Sequence, residues 1–350
     1  MFGKMVNSFY YGKSGKGDFR KEDLPQNRWQ LFWEMLRVRI SGLCRLNLMT
    51  VAAWLPLLIV IINLISSVFN ALVISTEFEN YLAYGTLTET FTQEMADQLA
   101  AEGIVDSATM NNMFVGVLIT GLQNALLWMI PCILITGPVQ AGLSYVTRNW
   151  ARDEHAFIWS DFKDAVIRNW KQALGVSAIT SVVPFLMYMC FRFYGNMAND
   201  NMLFIVPQML TLTLGLVWFL GLTFMYPLMV TYTYNFRTLI KNSLLLAIAR
   251  LPHTIVMRLA AMLPALICLL ISFMTAGNIS IYALLALLAY YVLLGFAMSR
   301  FIFASYTNGI FDKYLNSRIE GVQINRGMAA ESDEDEEDEE DQPAEADDEE

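Results

Sequence analysis

The chain has 350 residues, of which 55% are hydrophobic and only 16% charged, whereas a soluble domain carries roughly a quarter charged residues. Its apolar residues gather in runs of about twenty or more, which excludes a soluble globular domain and leaves an integral membrane protein. The formal charge of −10 misleads: fifteen of the 33 acidic residues fall within 331–350, and without them the rest of the chain carries +5.

In chain order, residues 1–27 form a basic segment without an early apolar core, so no signal peptide is expected. Its Gly12-Lys13-Ser14 is no phosphate loop, because Asn7 stands where such a loop needs glycine. The stretch NRWQLFWEMLRVRISGL aligns Trp29, Phe32, Trp33, Leu36 and Ile40 on one helical stripe. An interfacial amphipathic helix is expected there, with Gly42 allowing a bend into the membrane.

Six spans are expected, near 46–74, 113–143, 173–194, 203–232, 259–276 and 281–303. Together they make 28–326 an all-α membrane domain of six transmembrane helices with interfacial amphipathic helices. Every lysine and arginine except Arg192 falls on one side of this threading, and by the positive-inside rule that side is the cytoplasm, so both termini are inside. The connection 75–112 is then an outer loop with seven acids and no basic residue. Within it Thr88 is the expected cap of a short helix aligning Phe91, Met95 and Leu99 and stopped by Gly103.

The cytoplasmic loops are 144–172 and 233–258. In the first, Tyr145 and Trp150 are expected at the aqueous interface, with Arg148 and Arg152 anchoring the inner side. Ser160 is the expected cap of a helix from Asp161, with Phe162, Val166, Trp170 and Ala173 along one stripe and Lys163, Arg168 and Lys171 off it. Arg148, Trp150, Arg152, Phe162, Arg168, Trp170 and Lys171 are accordingly the candidate contact surface for a partner. Pro138, Tyr145 and Arg148 are echoed 89 residues later by Pro227, Tyr234 and Arg237, the spacing a repeat of helix pairs would leave. The last segment, 327–350, is an acidic tail that cannot bury apolar surface and is expected to be disordered.

No Asp, Glu, Lys or His occupies the centre of a span. The intramembrane polar candidates are Asn63, Gln123, Asn124 and Gln208, which serve either as helix–helix hydrogen-bonding groups or as ligands for a solute. Prolines stand in or near the spans at Pro56, Pro131, Pro184, Pro207, Pro227 and Pro264, where freed carbonyls need other donors. Cys44, Cys132, Cys190 and Cys268 are widely spaced, and His155 and His253 stand apart. No catalytic residue, cofactor site or metal site is therefore expected, and the chain reads as non-enzymatic. Nothing in the pattern points to nucleic acid.

Leu46-Asn47-Leu48, the run ITGPVQAGLSYVTRNWARDE and the following DFKDAVIRNWKQAL carry a resemblance. Thr136, Gly137, Pro138, Tyr145, Val146, Thr147, Arg148, Phe162, Asn169, Trp170, Lys171 and Gln172 are similar to the YesL-like family of bacterial integral membrane proteins. The likeness covers about residues 43–175. It implies a bacterial plasma-membrane protein in an accessory or regulatory role near carbohydrate ABC transporters. Its partners would be the lipid bilayer and ABC transporter subunits or another membrane protein. The alternative is a transporter of small, sugar-like solutes.

Overall fold

The computed structural model describes residues 24–275 and 278–328. Of the expected basic segment 1–27 and acidic tail 327–350, all but 24–27 and 327–328 lie outside the described residues. The elements in order are α1 (Arg28–Tyr84), α2 (Gln93–Ala101), α3 (Ser107–Trp150), α4 (Ser160–Ala198), a 3-10 turn, α5 (Ile205–Thr231), α6 (Phe236–Ala249), α7 (Leu251–Met274) and α8 (Asn278–Tyr290). A π-turn (Tyr291–Gly295) then joins α8 to α9 (Phe296–Tyr314). No strand occurs among the described residues, and six helices are long and apolar enough to cross a membrane. That is the build of a multi-pass membrane protein.

Several helices far exceed a membrane's need. α1 has 57 residues and at 1.5 Å per residue reaches ~86 Å, against ~30 Å of hydrocarbon. Asn27 caps its start by accepting from Gln30 N at 2.9 Å. Gly85, in the left-handed region at φ 68°, closes its end. Helix α1 runs as one continuous helix through Gly42. The missing side chain serves packing: a Cβ there would stand 3.0 Å from the Trp150 ring.

The stripe expected at the start of α1 is not the face that packs against the rest of the protein. Leu31, Met35, Leu43 and Leu46 are buried, while Trp29 and Trp33 are 65% and 51% exposed and Ile40 faces outward. This helix has two apolar faces, and hydropathy alone does not say which one meets protein. The buried face packs on Leu143, Val146 and Trp150 of α3 and on Ala297, Phe301 and Ala304 of α9. A second cluster joins Ala173 and Val176 of α4, Phe224 and Leu228 of α5, Leu239 of α6 and Phe311 of α9. Both lie toward the end where α1 begins and α9 finishes, here called the basic end.

The expected loops are largely helical. Helix α3 continues to Trp150 and α4 starts at Ser160, so the connection is only 151–159. Residues 233–258 hold α6 and the first turns of α7. Ser160 caps nothing; Asp161 instead accepts from Phe157 N at 2.8 Å. In the expected outer loop, Thr92 is the α2 cap rather than Thr88, whose hydroxyl accepts from Phe91 N at 3.0 Å. Gly103, at φ 81°, follows the end of α2 as expected. Phe91 and Leu99 join Phe78, Ile104 and Met110 in a small core of their own. The Pro138 and Pro227 sets do not occupy equivalent places, since Tyr145 and Arg148 remain inside α3 whereas Tyr234 lies beyond the end of α5.

Candidate functional site at the basic end

The first polar device is Asn47. A π-turn breaks the regular hydrogen-bond ladder and leaves backbone groups in need of partners. Asn47 Nδ2 donates to the carbonyls of Tyr291 at 2.9 Å and Val292 at 2.7 Å, and its Oδ1 accepts from Ala297 N at 2.9 Å. One fully buried side chain of α1 thus completes the broken turn of the last helix.

The Thr136-Gly137-Pro138 run has an equally physical role. Proline lacks the N–H that would reach the carbonyl four residues back, here Leu134. Ser177 of α4 donates its hydroxyl to that oxygen at 2.9 Å. Gly137 makes the approach possible, because a Cβ there would lie 2.5 Å from the Ala173 carbonyl and against Ser177. Thr136 accepts from Gln140 Nε2 at 2.9 Å. Sequence reasoning singled out Thr136 and Gly137 by resemblance, and Pro138 by resemblance and by its echo at Pro227; the structure makes them the seam of α3 and α4.

At the tip, Asp312 of α9 gathers distant segments. It accepts from Arg28 Nη2 at 2.7 Å and from Asn325 N at 3.3 Å, and its other oxygen accepts from Asn316. Asn316 in turn accepts from the Tyr232 hydroxyl at 2.6 Å. Arg152 and Arg326 both meet Glu154. Asn308 donates to the Arg148 carbonyl at 3.3 Å, tying α9 to α3. Asp153, which adopts φ 55°, has its carboxyl pushed above the usual range by partial burial, an effect opposed by Arg39.

The candidate contact residues therefore divide. Trp150 is 2% exposed and Phe162 is buried against Gly142, so both are internal. Arg148 and Arg152 are half-buried, each with an Nε lacking a hydrogen-bond partner. These four cannot form an open docking face. Arg168, Trp170 and Lys171 are exposed, and Trp170 at 46% lies off the buried stripe, which runs through Phe162, Ala165, Ala173 and Val176. Phe157, Trp159 and Ile167 share the exposure.

The intramembrane amides do not converge on one point. Asn63 and Asn124 line a groove of about 330 Å³ between α1 and α3, together with Ser67 and Gly121. Gln123 is exposed outside it. Gln208 is buried near the other end and donates to the Phe191 carbonyl at 3.2 Å, a helix–helix bond.

Sequence reasoning passed over Arg258 and Arg300, counting them with the other basic residues. Arg258 Nε donates to Thr223 Oγ1 at 2.8 Å and its Nη2 to the Phe219 carbonyl at 2.7 Å. Its guanidinium lies 4.3 Å from the Phe219 ring centroid and 4.7 Å from that of Phe303. Arg300 covers Tyr226 at 4.7 Å, and its Nη1 is buried without a hydrogen-bond partner. Neither arginine has a salt bridge among the described residues. Aromatic faces stabilise such cations where carboxylates do not. The available signal was their place inside apolar helical runs.

Among the described residues no three His, Cys, Asp or Glu side chains come together as a metal would require. The cysteines are free thiols.

The architecture is thus a six-span helical bundle closed at one end by a polar and aromatic seam. Residues 108–191 match the model of a family described as protein of unknown function, DUF624. The match covers almost all of α3 and most of α4, including the Pro138–Ser177 seam. No curated protein and no solved structure matches the chain.

Proposed function

We propose that this chain is a non-enzymatic accessory or regulatory partner of another membrane complex. On this reading it sits in a bacterial plasma membrane with both termini in the cytoplasm. Its docking face is the exposed start of α4, where Phe157, Trp159, Ile167 and Trp170 stand beside Arg168 and Lys171. That face carries the reading, because aromatic residues with arginine are what protein interfaces concentrate and α4 is held rigidly against α3 by Ser177. The resemblance to the YesL-like family suggests ABC transporter subunits for carbohydrates as the partner.

The test places a photo-cross-linker at Trp170 in intact cells. A stoichiometric adduct with one membrane protein, lost from the Arg168→Glu/Lys171→Glu variant, is the expected result. Recovery of the chain alone would sink the idea.

A second reading, transport of a small sugar-like solute, is favoured only by the groove at Asn63 and Asn124. Uptake into reconstituted vesicles that falls in Asn124→Leu would support it.

A further inference from the structure

We propose that a groove between α1, α7 and α9 holds one anionic phospholipid from the leaflet at the basic end. Its phosphate would lie at Arg250 and an acyl chain would run toward Pro264. The cavity measures about 750 Å³. Along α7 its wall is formed by His253, Met257, Ala260 and Pro264, which recur at helical spacing on one face. From His253 to Pro264 the wall runs ~17 Å at 1.5 Å per residue, close to half of a ~30 Å hydrocarbon core. The site therefore has the length of one leaflet.

Its polarity is graded in the same direction. Toward Pro264 the wall is apolar, and at the other end stand Arg28, Arg250 and His253. Asp312 balances Arg28. Arg250 has no salt bridge among the described residues; it lies over the Tyr314 ring at 5.1 Å and donates to its hydroxyl. Ser305 lines the groove with a buried hydroxyl that has no hydrogen-bond partner. A phosphate with an ester-linked chain matches all of these: negative charge for Arg250, an oxygen acceptor for Ser305 and hydrocarbon for the apolar wall. An extended polypeptide in the same place would leave its backbone groups unmatched against apolar side chains.

Native mass spectrometry of the full chain, purified in mild detergent and supplied with phosphatidylglycerol or phosphatidylcholine, tests this. Phosphatidylglycerol should be retained roughly fivefold more strongly, the worth of one unpaired surface cation. Arg250→Ala should abolish the preference, and Lys241→Ala, at an exposed position of α6, should leave it intact. Equal retention of the two lipids, or a preference that survives Arg250→Ala, overturns the proposal. Displacement of the lipid by inorganic phosphate alone would mark a bare anion site and overturn it too. A photo-cross-linker at Met257 in the otherwise native chain guards against misfolded variants. It should give a lipid mass adduct, whereas attachment to residues 1–23 or to a second copy refutes the assignment. None of these outcomes depends on whether the α4 face docks a protein.

Discussion

At the basic end Trp150, Phe301 and Phe311 are fully buried, and hydrogen bonds join Arg28 to Asn325 and Asn47 to Tyr291, residues from opposite ends of the chain. At the far end the buried cluster of Phe78, Phe91, Leu99, Ile104 and Met110 comes from one local excursion between α1 and α3. The central stretches of the spans are little buried, and side chains such as Leu210, Leu214, Leu266 and Leu270 face outward. One end is thus locked by its own long-range contacts, while the middle leaves its apolar surface to lipid. Long-range contacts fix the geometry of the basic end, whereas the far end is held by a small core of its own, the arrangement from which independent local opening is expected.

Asn47→Leu should break this contrast most severely. It removes three hydrogen bonds at the π-turn and leaves two carbonyls and one N–H inside the bundle. An unmatched buried polar group costs ~1–3 kcal/mol, so a global loss of about 3 kcal/mol is expected in detergent thermal unfolding. A change below about 0.5 kcal/mol would mean that the turn is repaired from elsewhere.

Phe91→Ala sharpens the contrast from the other side. A Phe→Ala truncation in a core costs ~3–5 kcal/mol, and Phe91 is fully buried. Here the cost should fall on the local cap. Limited proteolysis within 85–106 should accelerate markedly while the midpoint of global unfolding stays nearly fixed. A matching fall in that midpoint would show the two ends unfolding as one unit.

The spans were legible because long apolar runs admit few alternatives, and the sides were inferred from lysine and arginine. Burial at the basic end was not legible. Trp150 beside two arginines fits an interfacial belt as well as a core, and only the gap over Gly42 decides for the core. Trp29 and Trp33 formed a convincing stripe, yet Leu31 and Met35 on a neighbouring face meet the protein. Periodicity identifies an apolar face without saying whether lipid or protein covers it. Asn47 was visible as a polar residue among leucines, but Tyr291–Gly295 bears no sequence mark of a π-turn, so its role could not be read. The same limit separated Arg168, Trp170 and Lys171, which stay exposed, from Arg148, Trp150, Arg152 and Phe162, which do not.

The smallest expected effect lies at the rim of the locked end. Asp153 holds φ 55°, a conformation that asparagine also tolerates. Partial burial raises its carboxyl above the ordinary aspartate value of 3.8, so the fold binds the proton more tightly than the unfolded chain does. Stability from this group is therefore full below pH 3.8 and is lost as pH rises through the raised value. Asp153→Asn removes that loss. The carboxyl is only partly buried and the residue keeps access to solvent, so screening should hold the gain at neutral pH below about 0.5 kcal/mol. Thermal unfolding of both proteins across acid to neutral pH checks the sign: the curves should converge at low pH and separate in favour of asparagine as pH rises. Separation in the opposite sense would mean that attraction to Arg39 outweighs burial, making Asp153 a contributor to the locked end rather than a tolerated cost.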